Sequence, residues 1–102
     1  MDITDLDAHA LSHAIHSKAV SCREVMSAYL ARIGEMNPRF NAIVNLQDGD
    51  DLLRQATARD AQLAAGTSMG WMHGMPQAIK DAADTKGIPS TLGSPLLRHH
   101  VP

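Results

Sequence analysis

The sequence predicts an α+β chain of three helices and two short strands. Three observations lead there. Apolar residues recur at helical spacing behind capping signals in the first two-thirds of the chain. Two short apolar runs, at 42–46 and 75–80, lie between turn-forming residues. From Gly66 onward, glycine and proline punctuate the chain so densely that no further long element fits.

The first helix is expected to start at Asp7, whose carboxylate can cap the first turn, with Leu6 packing on Leu11 as a staple. Leu11, Ala14 and Ile15 form its apolar stripe, and it should fade near Ser17 and Lys18. The second helix has the clearest start, the capping box Ser21-x-x-Glu24 with Val20 and Val25 as the staple. Met26, Tyr29, Leu30, Ile33 and Met36 repeat at helical spacing and read as core rather than as a ligand box. Asn37-Pro38 should end this helix, because the residue before proline avoids the helical region.

Residues 42–46 read as the first strand. Asp48-Gly49-Asp50-Asp51 leads into a third helix over roughly 51–65, with an acidic first turn that suits the helix dipole and Gly66 as its stop. Leu53, Ala56, Asp60 and Leu63 make it only half apolar, which predicts one wet face. A loop follows over 66–74, then the second strand, 75–80, ending at Lys80. Residues 81–102 should be irregular, with turns, and poorly ordered towards the end.

Composition narrows the function classes. Length predicts one domain. The formal net charge of −2, with one Trp, one Tyr and one Phe, offers neither a basic footprint nor stacking platforms, so no nucleic-acid contact is expected. Cys22 is the only cysteine, which precludes an internal disulfide and fits a cytoplasmic setting. The acidic N-terminus lacks the apolar stretch of a signal peptide, and no run is long enough for a membrane span, so no membrane partner is expected.

Several residue types invite a chemical reading. His9, His13 and His16 sit on adjacent turns of the first helix, yet no acidic or cysteine partner completes a shell, so a solvated face is favoured over a metal site. His99-His100 carries no motif. Cys22 falls in the first turn of the second helix, where the dipole lowers a thiol pKa, but no positioned base accompanies it, and a packing role is favoured. The Asp48 cluster lacks EF-hand spacing, and the glycines near Gly87 and Gly93 match neither a P-loop nor a dinucleotide fingerprint. No cofactor and no metal is therefore expected. Lys80 remains: a lysine delivered to the end of an apolar run just before a sharp turn. Most such lysines are solvated, but one held in a dry site can lose its proton and act as a base.

The segment Gly74-Met75-Pro76-Gln77-Ala78-Ile79-Lys80-Asp81 resembles the lysine segment of the amidase signature family, Gly-Ile-Pro-x-x-x-Lys-Asp or Lys-Glu. Gly87-Ile88-Pro89-Ser90-Thr91-Leu92-Gly93-Ser94 is similar to the Gly-x-Pro-Thr-Thr-x-Gly-Ser that follows it there. Upstream, Ser21-Cys22-Arg23-Glu24-Val25, Ala28-Tyr29-Leu30-Ala31-Arg32-Ile33 and Asn37-Pro38-Arg39-Phe40-Asn41-Ala42 resemble the family's N-terminal helix and the strand after it. Gly70-Trp71-Met72-His73-Gly74 departs from the family's frequent Gly-Pro-Leu-x-Gly, and Gln77 is polar where an apolar residue is common.

The resemblance implies an α/β/α fold built on a mixed sheet, of which residues 1–102 would be the N-terminal part of a single domain. It implies hydrolysis of carboxamides by a Ser–cis-Ser–Lys triad, with Lys80 as the triad lysine and a small-molecule amide as substrate. In that scheme a neutral lysine deprotonates the bridging serine, which activates the nucleophilic serine. Both serines belong to a Gly-Gly-Ser-Ser-Gly-like segment that this chain lacks, and Ser90 and Ser94 belong to the loop motif instead. The chain by itself is accordingly expected to be inactive, as a fragment, a truncated product or a small derivative of the fold. The alternatives are a fragment of an amidotransferase A-type subunit, which feeds ammonia to misacylated tRNA, or a non-catalytic remnant. Strand edges left unpaired at 42–46 and 75–80 predict self-association as a homo-oligomer.

Overall fold

The computed structural model describes residues 2–102. Asp2 caps a 3-10 turn at Ile3–Asp5, accepting from the Thr4 amide at 3.0 Å. Helix α1 (Ala8–His16) begins where the sequence places it, with the Asp7 carboxylate accepting from the Ala10 amide at 2.8 Å. It ends as expected at Ser17, and Lys18 turns the chain with a left-handed φ of 63°.

Helix α2 (Cys22–Phe40) opens on the capping box: the Glu24 amide donates to Ser21 Oγ at 2.9 Å, and the Ser21 amide to Glu24 Oε1 at 3.1 Å. Its end differs from the expectation, because it runs through Pro38 to Phe40. A proline so near a C-terminus removes one amide donor without interrupting much helix. The Asn41 amide then closes the turn on the Asn37 carbonyl at 2.6 Å, and Asn41 leaves in the left-handed region. The Asn37 side chain takes both polar groups of Ile43, accepting from its amide at 2.8 Å and donating to its carbonyl at 2.9 Å.

Helix α3 (Gly49–Ala64) starts slightly earlier than expected, since it is Asp48 whose carboxylate caps the Asp51 amide, at 3.3 Å. Gly66 ends it with φ 84°, and the Thr67 amide reaches back to Gln62 at 2.9 Å.

Leu11, Ile15, Cys22, Val25 and Ala56 form the buried core, with Ile3, Leu6, Val20, Met26, Tyr29, Leu63 and Met75 packed around it. Helix α2 lies against α3, and polar contacts join them, among them Arg23 Nη1 donating to Thr57 Oγ1 at 3.1 Å. Asp60 of α3, expected on a mixed face, accepts from the Cys22 amide at 2.7 Å and the Arg23 amide at 3.1 Å. It thus caps a helix other than its own and satisfies two of the free amides at the start of α2. The loop after α3 is pinned by His73, which is 3% exposed. Its Nδ1 accepts from the Met69 amide at 3.0 Å and its Nε2 donates to the Arg59 carbonyl at 2.9 Å. Gly74 then passes under α2 with φ 77°, so close that a β-carbon would sit 2.3 Å from Cys22 Sγ.

The α+β class does not hold: among the described residues the regular structure is entirely helical, with no strand and no mixed sheet. Residues 42–46 and 75–80 are apolar and follow turn signals, but a strand exists only when a neighbour takes its amides and carbonyls. Neither segment has such a neighbour. The amides of Gln77, Ala78, Ile79 and Lys80 find no acceptor among the described residues, and Ile43 is paired with a side chain. Residues 81–102 are irregular apart from a 3-10 turn at Pro95–Leu97, as expected. The last residues are nonetheless tied back: the Gly87 amide donates to the Pro102 carbonyl at 2.9 Å and the Ser90 amide to the His100 carbonyl at 3.0 Å. Among the described residues no helix is long and apolar enough to cross a membrane.

Candidate functional site

Lys80 stands on the wall of an open cavity of about 750 Å³. One wall is α2, through Met26, Tyr29, Leu30 and Ile33. The segments 42–47 and 76–83, with Ile88, Pro89 and Leu92, make up most of the rest. The two runs that do not pair as strands therefore line one apolar groove. Several of their side chains stay in water, including Val44 at 57% and Ile79 at 57% exposure.

Lys80 is itself exposed, and no ion pair or hydrogen bond engages its Nζ among the described residues. Its backbone is better held. The Lys80 carbonyl accepts from the Ala83 amide at 2.9 Å. Next to it, the Asp81 carbonyl accepts from Ser90 Oγ at 3.0 Å, and the Asp81 carboxylate accepts from both the Thr91 amide, at 2.9 Å, and Thr91 Oγ1. The Thr91 hydroxyl, and after it the Thr91 amide, hold the Asp81 carboxyl below its ordinary 3.8. Asn45 joins the same loop to the 42–47 wall by donating to the Pro89 carbonyl at 3.3 Å.

The structure brings a primary amine to an apolar wall, and the two serines of the loop motif are engaged elsewhere. Ser90, 3% exposed, spends its hydroxyl on the Asp81 carbonyl. Ser94 caps the 3-10 turn, accepting from the Leu96 amide at 3.3 Å. Both serines of the loop motif thus hold backbone.

The remaining candidates separate. Cys22 is fully buried, and its thiol is pushed up to about 12, by burial first and then by the Asp60 carboxylate. Desolvation and a neighbouring anion outweigh the helix dipole, so Cys22 is a packing residue. His16 bonds within the fold, Nδ1 to the Ser12 carbonyl and Nε2 to Ser68 Oγ, each at 2.8 Å. His100 lies 4.0 Å from Asp84, and His99 accepts from Arg98 Nε at 3.3 Å. No cluster of three or more metal-binding side chains forms among the described residues. Sequence reasoning assigned no role to Asp81, Thr91 or Asn45. The signal for the first two was in the motifs already quoted, an acidic residue after the lysine and a threonine in the loop behind it.

The family model described as Amidase matches residues 24–102. The whole chain aligns at 35% identity with the A-type subunit of the glutamyl-tRNA(Gln) amidotransferase of Bdellovibrio bacteriovorus, covering 20% of that protein. It aligns at 40% identity over its whole length with the protein of the same name from Pelobacter propionicus, covering 21% of it. With the counterpart from Acidothermus cellulolyticus the identity is 39% over 99% of this chain and 20% of the relative. The chain thus spans about a fifth of the length of these relatives.

Proposed function

The chain belongs to the amidase family, and on that premise we propose that it is the N-terminal part of an amidase-signature domain whose Lys80 serves as the base of a Ser–cis-Ser–Lys triad hydrolysing carboxamides. The observation that carries this reading is Lys80 itself, followed by Asp81 inside the matched region and seated on the wall of a large, mostly apolar cavity. An amine in such a cavity becomes a base once further protein covers it and excludes water. The substrate is then a small-molecule amide. Without positioned serines and an oxyanion hole, residues 1–102 alone turn nothing over.

The test measures ammonia release from simple carboxamides by the 102-residue chain and by the complete product of its gene, with intact mass defining each. No turnover is expected from the chain. In a longer product, Lys80→Ala should lower kcat by at least about a thousandfold, as for other members of a catalytic triad. Lys80→Arg should not restore it, because a guanidinium stays protonated. Turnover by the 102-residue chain that Lys80→Ala abolishes, or undiminished turnover by the Lys80→Ala form of a longer product, overturns the reading.

The names of the relatives favour a second reading, in which this is part of an A-type amidotransferase subunit. Ammonia would then pass to a partner protein instead of to water. Ammonia delivery that rises when candidate partners are added separates the two.

The amides of 77–80, which find no acceptor among the described residues, lie beside exposed Val44, Leu46 and Ile79 and also support self-association of the isolated chain through this groove. Light scattering across a concentration series should show a mass that rises towards the dimer; a constant monomer mass removes this proposal. The lone, buried Cys22 fits a reducing, cytoplasmic setting.

A further inference from the structure

We propose that Asp81 is the positioning residue for Lys80, acting with Ser90 and Thr91 as a clasp that fixes the direction in which the lysine leaves the chain. The inference rests on reading Lys80 as the base, and it concerns how that base is aimed. On the upstream side nothing holds Lys80: its own amide and those of Gln77, Ala78 and Ile79 find no acceptor among the described residues. Whatever fixes it therefore lies downstream, and there the bonds converge. The carbonyls of Lys80 and Asp81 are each held, by the Ala83 amide and by Ser90 Oγ. The peptide that joins the two residues is thereby held through its carbonyl, and the peptide after it through the carbonyl of Asp81. The Asp81 carboxylate adds a fork onto the Thr91 amide and hydroxyl. Hydrogen bonds to an ionised carboxylate are roughly twice as strong as neutral ones.

Burial supports this assignment. Ser90 is 3% exposed, and a hydroxyl so far from water needs a partner; the Asp81 carbonyl is the one it has. The frame carrying Ser90 and Thr91 is itself anchored, through the Ser90 amide to the His100 carbonyl and through the Pro89 carbonyl to Asn45 on the other lining segment. The clasp thus refers Lys80 to the cavity wall and not to a free loop. The Thr91 hydroxyl also accepts from the Gly93 amide at 3.2 Å, so both its donor and its acceptor sides are in use.

The experiment is ¹⁵N relaxation on the labelled 102-residue chain, comparing wild type with Asp81→Ala, Thr91→Val and Thr91→Ser. In the wild type the Lys80 and Asp81 amides should approach the order parameter of rigid backbone, about 0.85, and in Thr91→Val and Asp81→Ala they should fall below about 0.6 with α2 and α3 unchanged. Thr91→Ser keeps the hydroxyl and should restore the wild-type value. The Thr91 amide shift should also follow an acid titration with its midpoint below 3.8, and lose that inflection in Asp81→Ala. Where Asp81→Ala unfolds the chain, Thr91→Val decides alone. Unchanged order at Lys80 in Thr91→Val, or a loss there that Thr91→Ser fails to reverse, overturns the clasp. Neither result depends on amide hydrolysis, so a failure of Lys80 as the base, read from turnover, remains distinguishable.

Discussion

Every buried apolar side chain among the described residues comes from the helices, whereas beyond Gly74 the one buried residue is Ser90, a polar one. The helices answer their own amides internally, so their outward faces are free to pack, and Leu11, Ile15, Val25 and Ala56 do so. Residues 75–102 pair internally only in isolated turns, such as Ala83 on Lys80 and Ile88 on Thr85. Beyond those they satisfy backbone with side chains and end contacts: Ser90 on Asp81, Asp81 on Thr91, His100 and Pro102 on the loop. What burial does for one region, a few polar clasps do for the other. The contrast explains why the proposed base sits where it does, because the less packed region is the one left free to line a cavity.

The sharpest way to break this comparison is at the junction between the two regions. Gly74→Ala would drive a β-carbon onto Cys22 Sγ and force alanine to hold φ 77°. Overpacking and left-handed strain together should destabilise by about 3 kcal/mol or more, read as a fall in the denaturant midpoint. Adding Cys22→Ala should return part of that loss, and an additive double mutant would show that the crowding is not at the thiol.

Asp60→Ala tests whether the helical region truly closes itself. It strips two amides of α2 of their acceptor and should cost about 1–2 kcal/mol, more than alanine at an exposed acid such as Asp50. Equal effects at the two sites would mean that the cross-helix cap adds nothing.

The smallest effect is set by pH and separates the regions by sign. Cys22 keeps its proton in the fold up to about 12, against an ordinary 9.0. Its contribution is complete below 9.0 and is lost as pH rises from there through the folded value, because the unfolded chain gives up the proton first. Asp81 behaves oppositely. Its folded value lies below 3.8, so its contribution is present above 3.8 and is lost as pH falls through the folded value. Thermal scans should therefore show Cys22→Ala flattening only the alkaline limb and Thr91→Val only the acid one.

What the sequence made legible follows the same boundary. Asp7, the Ser21–Glu24 box and the Gly66 stop act within a turn or two of themselves, and each stands where its local chemistry puts it. The apolar runs at 42–46 and 75–80 do carry strand composition, but strand formation is a property of pairs, and composition cannot supply the second member. Pro38 misled in the opposite sense: its rule is local, yet Asn37 and Asn41 supply the closing bonds that keep the last turn helical. Asp60 looked like a polar interruption because its target lies on another helix. At the site, Lys80 was marked by its motif, whereas the Asp81–Thr91 bonds require a loop to close and leave no trace in periodicity.

Asn37 carries a chemical consequence of its own. Its carboxamide acts as a surrogate peptide group, giving Ile43 one donor and one acceptor. Conversion to aspartate would replace the donor with a second acceptor facing the Ile43 carbonyl. The usual route to that conversion is cyclisation, in which the next residue's backbone nitrogen attacks the side-chain carbonyl after losing its proton. The next residue is Pro38, whose nitrogen has no proton to lose. The proline that the helix had to absorb therefore shields the amide that directs the chain out of α2 from spontaneous ageing.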